Sequence, residues 1–324
     1  SALLCASISV FTSCVEENLE NFTPANKGDE ILFGARAGFE NSKSSTKTEY
    51  AGTYYKVGDK QFERINWIHG KDMIEIYCPE ALNGTKGHYV VSSFTDQETQ
   101  EDYTYLTRYE DSSLQWSDAE THHFYAMYPS SRMFNEESTL YQGVKMNGTI
   151  LTGIIPPSQK PSKIEKIGNN WIASPNMDYA YMAAKGTAVK ADGSVSLNFV
   201  PLVTAVQIEL TLDGIATDPE GTQYHPVQIA EIAVQGTGIA GGFTSNLAEW
   251  NSTYPQCSLA TEGTGSNIQI PVWVNDQPIT LNAGESLTFT VFLRPGVNYK
   301  DLAVAITPNG AAYTGKEMQD VTIP

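Results

Sequence analysis

The sequence is poor in basic residues and in histidine. It contains 20 Lys and Arg against 37 Asp and Glu, with 5 His, and its formal net charge is −17 at pH 7. Nucleic acids and anionic membrane surfaces are themselves negative and repel so acidic a protein. The composition therefore disfavours both as partners.

Cysteine is also scarce, with 4 residues in a chain of 324. Cys5 and Cys14 fall near the start, whereas Cys78 and Cys257 lie far apart in sequence. A disulfide between Cys78 and Cys257 stays open as an alternative, but nothing in the spacing requires it, and we expect two buried thiols. After the first residues, no apolar run in the sequence is long enough for a transmembrane helix.

The sequence lacks the short motifs of common catalytic and metal sites. Cys-x-x-Cys, His-Glu-x-x-His, Gly-x-Ser-x-Gly and the EF-hand loop are all absent. Residues 236–241 match Gly-x-Gly-x-x-Gly, but the residues that follow do not open a helix and no βαβ pattern surrounds them. We interpret this segment as a glycine-rich turn between strands. We predict that the protein is not an enzyme and that it binds no cofactor.

Two polar clusters contain residue types that can bind metal ions. His122 and His123 are adjacent, and adjacent residues of a strand point to opposite faces, so the pair cannot chelate one ion in a regular strand. The acidic cluster consists of Asp96, Glu98, Glu101 and Asp102. Its oxygen atoms could bind calcium, although such a cluster is more often a solvated loop. We predict no metal site.

From residue 31 onward the chain has the pattern of β-strands. Short segments alternate in polarity or group β-branched and aromatic residues, with Gly, Asn, Asp and Pro between them. Asn147-Gly148 lies between two such segments and predicts a hairpin with a tight type I′ turn. Long amphipathic helices are absent from the pattern. The sequence therefore predicts an all-β protein.

Two sets of short strands, with enough residues for two cores, predict two β-sandwich domains. The prolines within residues 156–161 cannot continue a central strand, because proline lacks the N–H donor. A turn at Asp192-Gly193 comes just before the second set. The predicted organisation is a lipoprotein signal peptide at residues 1–13, an acidic tether at 14–30, an N-terminal domain at 31–184 and a C-terminal domain at 185–324.

The first residues resemble the leader of a bacterial lipoprotein. Residues 2–11 are apolar or small and form a run too short to span a bilayer. Cys14 follows, in a context that resembles a lipobox with Phe11 in place of the usual Leu. The resemblance implies cleavage before Cys14 and a diacylglycerol on its thiol, where each buried methylene contributes about 0.8 kcal/mol to anchoring. The alternative is a plain signal peptide that happens to contain Cys14.

Acidic residues follow this cysteine directly. Glu16, Glu17 and Glu20 lie in a polar segment without apolar periodicity, which is typical of a disordered tether. The same residues resemble the export signal of Bacteroidetes surface lipoproteins. The two interpretations are compatible, and together they predict a protein of the cell surface, either as an outer-membrane lipoprotein or within a fimbrium.

Several short segments, in a fixed order, carry a resemblance to one family. They are the lipobox cysteine, Ile31-Leu32-Phe33-Gly34-Ala35-Arg36, Thr46-Lys47, Trp67 with Gly70-Lys71-Asp72, Ile155-Pro156-Pro157-Ser158-Gln159, Tyr179 to Ala184, and Val195-Ser196-Leu197-Asn198-Phe199. The chain resembles the fimbrillin-like proteins of Bacteroidetes, the subunits of type V pili. It departs from many relatives after Phe199, where they have a His and this chain has Val200-Pro201-Leu202.

The resemblance implies two tandem transthyretin-like Greek-key β-sandwiches that assemble by strand exchange. In that family a protease cuts after a basic residue beyond the first strand, and that strand leaves. A strand of the next subunit then enters the groove, which is β-augmentation. The candidate displaced strand contains Ile31, Leu32 and Phe33. The implied partners are other pilin subunits, the outer membrane through the lipid on Cys14, and a host or bacterial surface ligand.

The candidate cleavage residues are Arg36, Lys43 and Lys47, with Arg36 slightly favoured because it lies nearest the strand. The alternative is that all three are ordinary surface charges. The sequence begins without Met and stops at Pro324 in mid-pattern. We therefore expect a sequence that is truncated at both ends.

Aromatic residues support a competing function. The sequence has 17 Tyr and 5 Trp, and aromatic rings that are exposed on a β-sandwich can stack on sugars. The tryptophans are Trp67, Trp116, Trp171, Trp250 and Trp273. A glycan-binding surface lipoprotein should expose two or three of them in a row, whereas a pilin should bury them. A pilus subunit or fimbrillin-type adhesin ranks first, a glycan binder second and an enzyme third.

Overall fold

The computed structural model describes residues 9–10, 30–37, 49–57, 60–95, 102–110, 113–133, 143–212, 226–251, 255–260, 264–296, 302–308 and 321–322. Within these residues the regular structure is strand, with four short 3-10 turns and no α-helix. The all-β prediction is confirmed. No helix in the described part of the chain has the length and apolar character needed to span a bilayer.

The strands of the first half precede the proline-rich segment. They are β1 (Ser9–Val10), β2 (Leu32–Ala37), β3 (Glu49–Val57), β4 (Lys60–Asn66), β5 (Met73–Tyr77), β6 (Lys86–Thr95), β7 (Asp102–Arg108), β8 (His122–Tyr128), β9 (Val144–Asn147) and β10 (Ile150–Ile155).

The strands of the second half follow it. They are β11 (Lys163–Ile167), β12 (Asn170–Ser174), β13 (Met182–Ala188), β14 (Ser194–Pro201), β15 (Thr204–Thr211), β16 (Val227–Asn246), β17 (Cys257–Leu259), β18 (Gly265–Pro271), β19 (Trp273–Val274), β20 (Gln277–Leu281), β21 (Ser286–Leu293), β22 (Ala303–Pro308) and β23 (Val321–Thr322).

A closed barrel forms the first unit, in the strand order β13-β14-β2-β7-β6-β5-β8. The antiparallel pairing of β13 with β8, from Met182↔Tyr128 to Ala188↔His122, closes the ring. Its interior holds one apolar cluster, which includes Phe33, Tyr89 and Phe124. β3 and β4 pair with each other as a separate two-stranded sheet.

Two further sheets share a second apolar cluster, as in a sandwich. One has the order β1-β15-β21-β12-β11, and the other has β19-β20-β16-β10-β9 with more strands on the long β16. Ile208 of the first sheet and Ile232 of the second both lie in this cluster and are fully buried. The predicted domain division at residues 184 and 185 stays a prediction; β13 spans that point, and both β13 and β14 belong to the barrel.

Two hairpins show how turn chemistry acts in this chain. β9 and β10 pair across the turn at Gly148, with Asn147 opposite Ile150, so the predicted hairpin is confirmed. The predicted type I′ turn is wrong, because Gly148 has a φ of 59° but the next residue does not share the positive φ. Asn275 and Asp276, with φ of 51° and 59°, form a two-residue loop of that type between β19 and β20.

Candidate functional site

The candidate site is built around β2, the strand that completes the barrel. On one side β2 runs parallel to β14, with pairs from Ser194↔Leu32 to Phe199↔Ala37. On the other side it is antiparallel to β7, where the register has only Phe33↔Leu106 and Gly34↔Tyr105. β2 is therefore held along its length by one neighbour and over a short stretch by the other.

The side chains of β2 alternate between the barrel interior and its outer face. Ile31, Phe33 and Ala35 point inward and expose 1%, 2% and 1% of their surface, whereas Leu32 and Gly34 between them are partly buried. This is the period of two that a strand with one buried face requires. The inward residues of the predicted displaced strand are thus part of the barrel core.

Phe33 has the most specific surroundings of these residues. Its ring meets the Tyr89 ring edge-on at a centroid distance of 5.0 Å, and the Phe124 ring at 5.5 Å. Tyr89 is fixed in turn, because its hydroxyl oxygen accepts a hydrogen bond of 2.9 Å from the Leu114 N–H. Burial raises the pKa of the Tyr89 hydroxyl, which therefore stays neutral. The result is a preformed aromatic pocket.

Backbone contacts fix the start of β2. The Ile31 N–H donates to the Leu114 carbonyl at 2.9 Å, and Glu30 forms an isolated antiparallel bridge with Gln115. At the other end the backbone of Arg36 is in the ladder opposite Asn198. Of the remaining predicted site residues, Lys43, Lys47 and Cys14 lie outside the described residues.

Sequence reasoning missed the partners of β2. Val195, Leu197 and Phe199 were assigned to the start of the second domain, yet they line the barrel interior beside β2 and are almost fully buried. Their alternation with polar residues predicts a strand but carries no information about its neighbour. Strands far apart in sequence pair through tertiary contacts that periodicity does not encode.

A buried carboxylate lies on the outer face of the barrel, away from β2. Glu75 is fully buried, and its Oε1 is 2.6 Å from Lys86 Nζ while its Oε2 accepts from the Ser131 hydroxyl at 2.5 Å. His88 lies beside it, and burial lowers the pKa of this histidine despite the nearby carboxylate. The group is a compensated ion cluster, as buried charges require.

The other motifs singled out in the sequence have structural roles. Residues 236–241 lie inside β16, where the register shifts between Gln235 and Ala240, rather than in a turn between strands, so that interpretation was wrong. His122 is buried and His123 is half-exposed, as opposite faces of a strand require. The described residues contain no group of three or more metal-ligating side chains; most of the acidic cluster, residues 96–101, lies outside them.

Both described cysteines are free thiols. Burial raises the pKa of Cys78 to about 12 and that of Cys257 to about 11. A thiol with so high a pKa carries almost no thiolate at neutral pH and is a poor nucleophile. Cys78 is buried as expected, whereas Cys257 is partly exposed.

The tryptophans are mostly internal. Trp67, Trp116 and Trp250 expose 7% or less of their surface, and Trp171 is partly buried with its indole N–H donating to the Thr280 carbonyl. Trp273, on the β19 strand, is 45% exposed. The five rings therefore do not form an exposed row.

Comparisons with known proteins gave few matches. No family model matches the sequence, and no curated protein matches it. A crystal structure of a "putative cell adhesion protein" from Bacteroides ovatus matches at 11% identity, covers 86% of this chain and 83% of the other, and has a TM-score of 0.43. A second, with the same description, from Bacteroides fragilis matches at 14% identity over 86% and 84%, with a TM-score of 0.34. These values identify neither a family nor a function for this chain.

Proposed function

We propose that this chain is a cell-surface, fimbrillin-type lipoprotein, a structural or adhesive subunit of a type V pilus that assembles by protease-triggered strand exchange. The observation that carries the proposal is the position of β2. Its inward residues complete the barrel core, and β7 pairs with it at Phe33 and Gly34 alone. Arg36 lies at the end of β2, and Lys43 and Lys47 follow it in the chain. In the proposal, a lipid on Cys14 holds the subunit at the outer membrane before assembly.

Loss of β2 would leave a site that favours another strand. The edge of β14 opposite Leu32–Ala37 would lose its backbone partners, and an unpaired edge strand is a template for pairing. The pocket of Phe33 would open between Tyr89 and Phe124. Burying one large apolar side chain contributes about 1.5–3 kcal/mol, so an incoming strand regains both backbone hydrogen bonds and apolar burial.

The tryptophans favour a structural subunit over a glycan binder. A sugar-binding platform needs several exposed rings on one surface, and Trp67, Trp116 and Trp250 are instead core residues. Trp273 alone does not make such a platform. The proposal assigns no catalytic step to the chain.

The test uses the full chain with Cys14→Ala, which removes the lipid acceptor. The protein is treated with a trypsin-like protease, the new N-terminus is mapped, and the sample is run unboiled in SDS. Cleavage confined to Arg36, Lys43 or Lys47, followed by an SDS-resistant ladder, supports a polymerising subunit. A trimmed product that stays monomeric indicates a tip or anchor subunit.

A matched pair of variants separates specific from general proteolysis. Replacing Arg36, Lys43 and Lys47 together by Gln should abolish both the cut and the ladder. The same change at three exposed lysines elsewhere, Lys160, Lys163 and Lys190, should leave both intact. A chain that resists cleavage between residues 36 and 47 and forms no ladder contradicts strand exchange.

A further inference from the structure

We propose that the groove left by β2 selects its incoming strand by side-chain size at three alternate positions, in the order aliphatic, aromatic, small, on a strand parallel to β14. The occupant is a strand of a second subunit with this alternation. The inference rests on the proposed function, because it describes what the vacated groove accepts. It is read from the subsites that Ile31, Phe33 and Ala35 now fill.

The aromatic subsite, which Phe33 fills, is the most selective of the three for the side chain it accepts. Tyr89 and Phe124 present their rings edge-on to Phe33 at 5.0 and 5.5 Å, an arrangement that aliphatic side chains cannot reproduce. Val195 and Leu106 lie opposite Phe33 on the two flanking strands and are themselves buried. A small side chain here would leave a cavity that close-packed walls cannot fill.

The small subsite excludes bulk. Ala35 is 1% exposed, and its partner on β14 is Leu197, which is fully buried. Leu197 itself lies within the close-packed apolar cluster of the barrel interior, so it cannot move aside without displacing other buried residues. A larger side chain in place of Ala35 would therefore overpack the core.

The aliphatic subsite lies next to Leu114. Ile31 is 1% exposed, its N–H donates to the Leu114 carbonyl, and the Leu114 N–H is bound to the Tyr89 hydroxyl. Leu114 thus connects the aliphatic and aromatic subsites, so their spacing is fixed. Residues i and i+2 of one incoming strand therefore fill these two subsites.

The order of the three subsites also sets register and direction. A shift by one residue turns every side chain to the wrong face. A shift by two places the aromatic side chain at the Ala35 position or a small one in the aromatic pocket. A strand in the reverse direction presents the small residue first, and it exchanges the parallel ladder with β14 for an antiparallel one.

The test keeps the full chain and opens it in place. A specific protease site replaces part of residues 38–47, the chain is cut, and the sample is held in urea just below its unfolding transition. Fluorescent peptides with the sequence of residues 29–37 are added, and their entry is followed by anisotropy. The peptides carry the native sequence, F33A, A35L, the matched control L32A at an outward position, or the reversed sequence.

The expected results differ among the peptides. The native peptide and L32A should bind within about threefold of each other, since Leu32 points outward. F33A should bind at least about 30-fold more weakly, A35L about tenfold or more weakly, and the reversed peptide more weakly than the native one.

Each contrary outcome has its own meaning. If the native peptide enters and F33A or A35L binds equally well, selection by size is wrong while strand acceptance stands. If the reversed peptide binds as well as the native one, the direction is wrong. If the native peptide does not enter at all, both this inference and the proposed strand exchange at β2 fail.

Discussion

At the scale of single residues, Glu285 is a carboxylate fixed by hydrogen bonds in the second unit, which consists of the two sheets that share the second apolar cluster. Its Oε2 accepts from the Asn282 N–H at 3.0 Å, and its Oε1 accepts from Lys166 Nζ at 2.5 Å. These hydrogen bonds favour the carboxylate and lower its pKa from 4.5 to about 2. Lys166 also lies over the Trp171 ring, 5.4 Å from its centroid. The Glu285 side chain thus connects the turn between β20 and β21 to Lys166 on β11.

This shift predicts a pH dependence of stability. The pKa of Glu285 is lower in the folded chain than in the unfolded chain, so its contribution is complete above pH 4.5 and is lost as the pH falls toward 2. Glu285→Gln should lower the free energy of unfolding by about 1–2 kcal/mol at pH 7 and by much less near pH 2. Urea unfolding at both pH values measures it.

The control for this prediction is an exposed ion pair on the same strand as Lys166. Glu165 lies 2.6 Å from Lys163 Nζ, with 38% of the Glu165 side chain and 64% of the Lys163 side chain exposed. Glu165→Gln should change stability by less than about 0.5 kcal/mol, because exposed ion pairs contribute little. Equal losses in both variants would contradict the role assigned to Glu285.

At the scale of elements, Gln159 joins the two sheets of the second unit. Its backbone N–H donates to the Gln269 carbonyl, which brings its segment beside β18 in one sheet. Its side chain, 5% exposed, donates to the Phe292 carbonyl at 2.7 Å and accepts from the Phe292 N–H at 2.9 Å in the other sheet. The side-chain amide of Gln159 thus hydrogen-bonds to the backbone of β21 as a neighbouring strand would. It does so at Phe292, beyond the point where the pairing of β12 with β21 ends at Ala173↔Phe289. Buried backbone groups require such partners.

Removal of that amide should therefore be costly. Gln159→Met keeps the length of the side chain but leaves the Phe292 N–H and carbonyl without these partners, and it should destabilise the chain by about 2–4 kcal/mol. The midpoint of urea unfolding gives the value. Gln269→Met makes the same chemical change at an exposed position of β18 and should be nearly neutral. The prediction fails if the two variants are equally stable.

At the scale of the whole molecule, β2 is preceded in the chain by β1, which pairs with β15, and is followed by a segment with basic residues that leads to β3. Its core contacts with Tyr89 and Phe124 and its ladder with β14 do not depend on that connection. Cleavage between residues 36 and 47 should therefore leave β2 bound without a covalent link.

Mass spectrometry tests this retention directly. At a dilution where no second subunit supplies a strand, the cut chain should keep the mass of the whole in native buffer, and under denaturing conditions it should separate into two fragments. Phe33→Ala should release the fragment at a lower urea concentration, because it removes the aromatic contacts that hold it. Spontaneous loss of the fragment from the unmutated chain in native buffer would contradict the model of a tightly seated strand.

The sequence by itself determined the local geometry of the chain. Alternation of polarity and clusters of β-branched and aromatic residues predicted an all-β protein with a strand at residues 31–33, and Asn147-Gly148 predicted a turn. The structure has the turn at Gly148 and a strand that begins at Leu32. These features follow from the period of two of a strand and from the positive φ that glycine tolerates. Adjacent histidines on opposite faces follow from the same period.

Only the tertiary structure decided which strands meet. β2 pairs with β14, some 160 positions later in the chain, and Gln159 binds Phe292 across 133 residues; residues 236–241 became part of one long strand rather than a turn. Pairing of distant strands depends on loop closure and on how side chains fill a common core, and many partners satisfy the same alternation. The aromatic subsite at Phe33 and the small subsite at Ala35 form only when these distant strands pair.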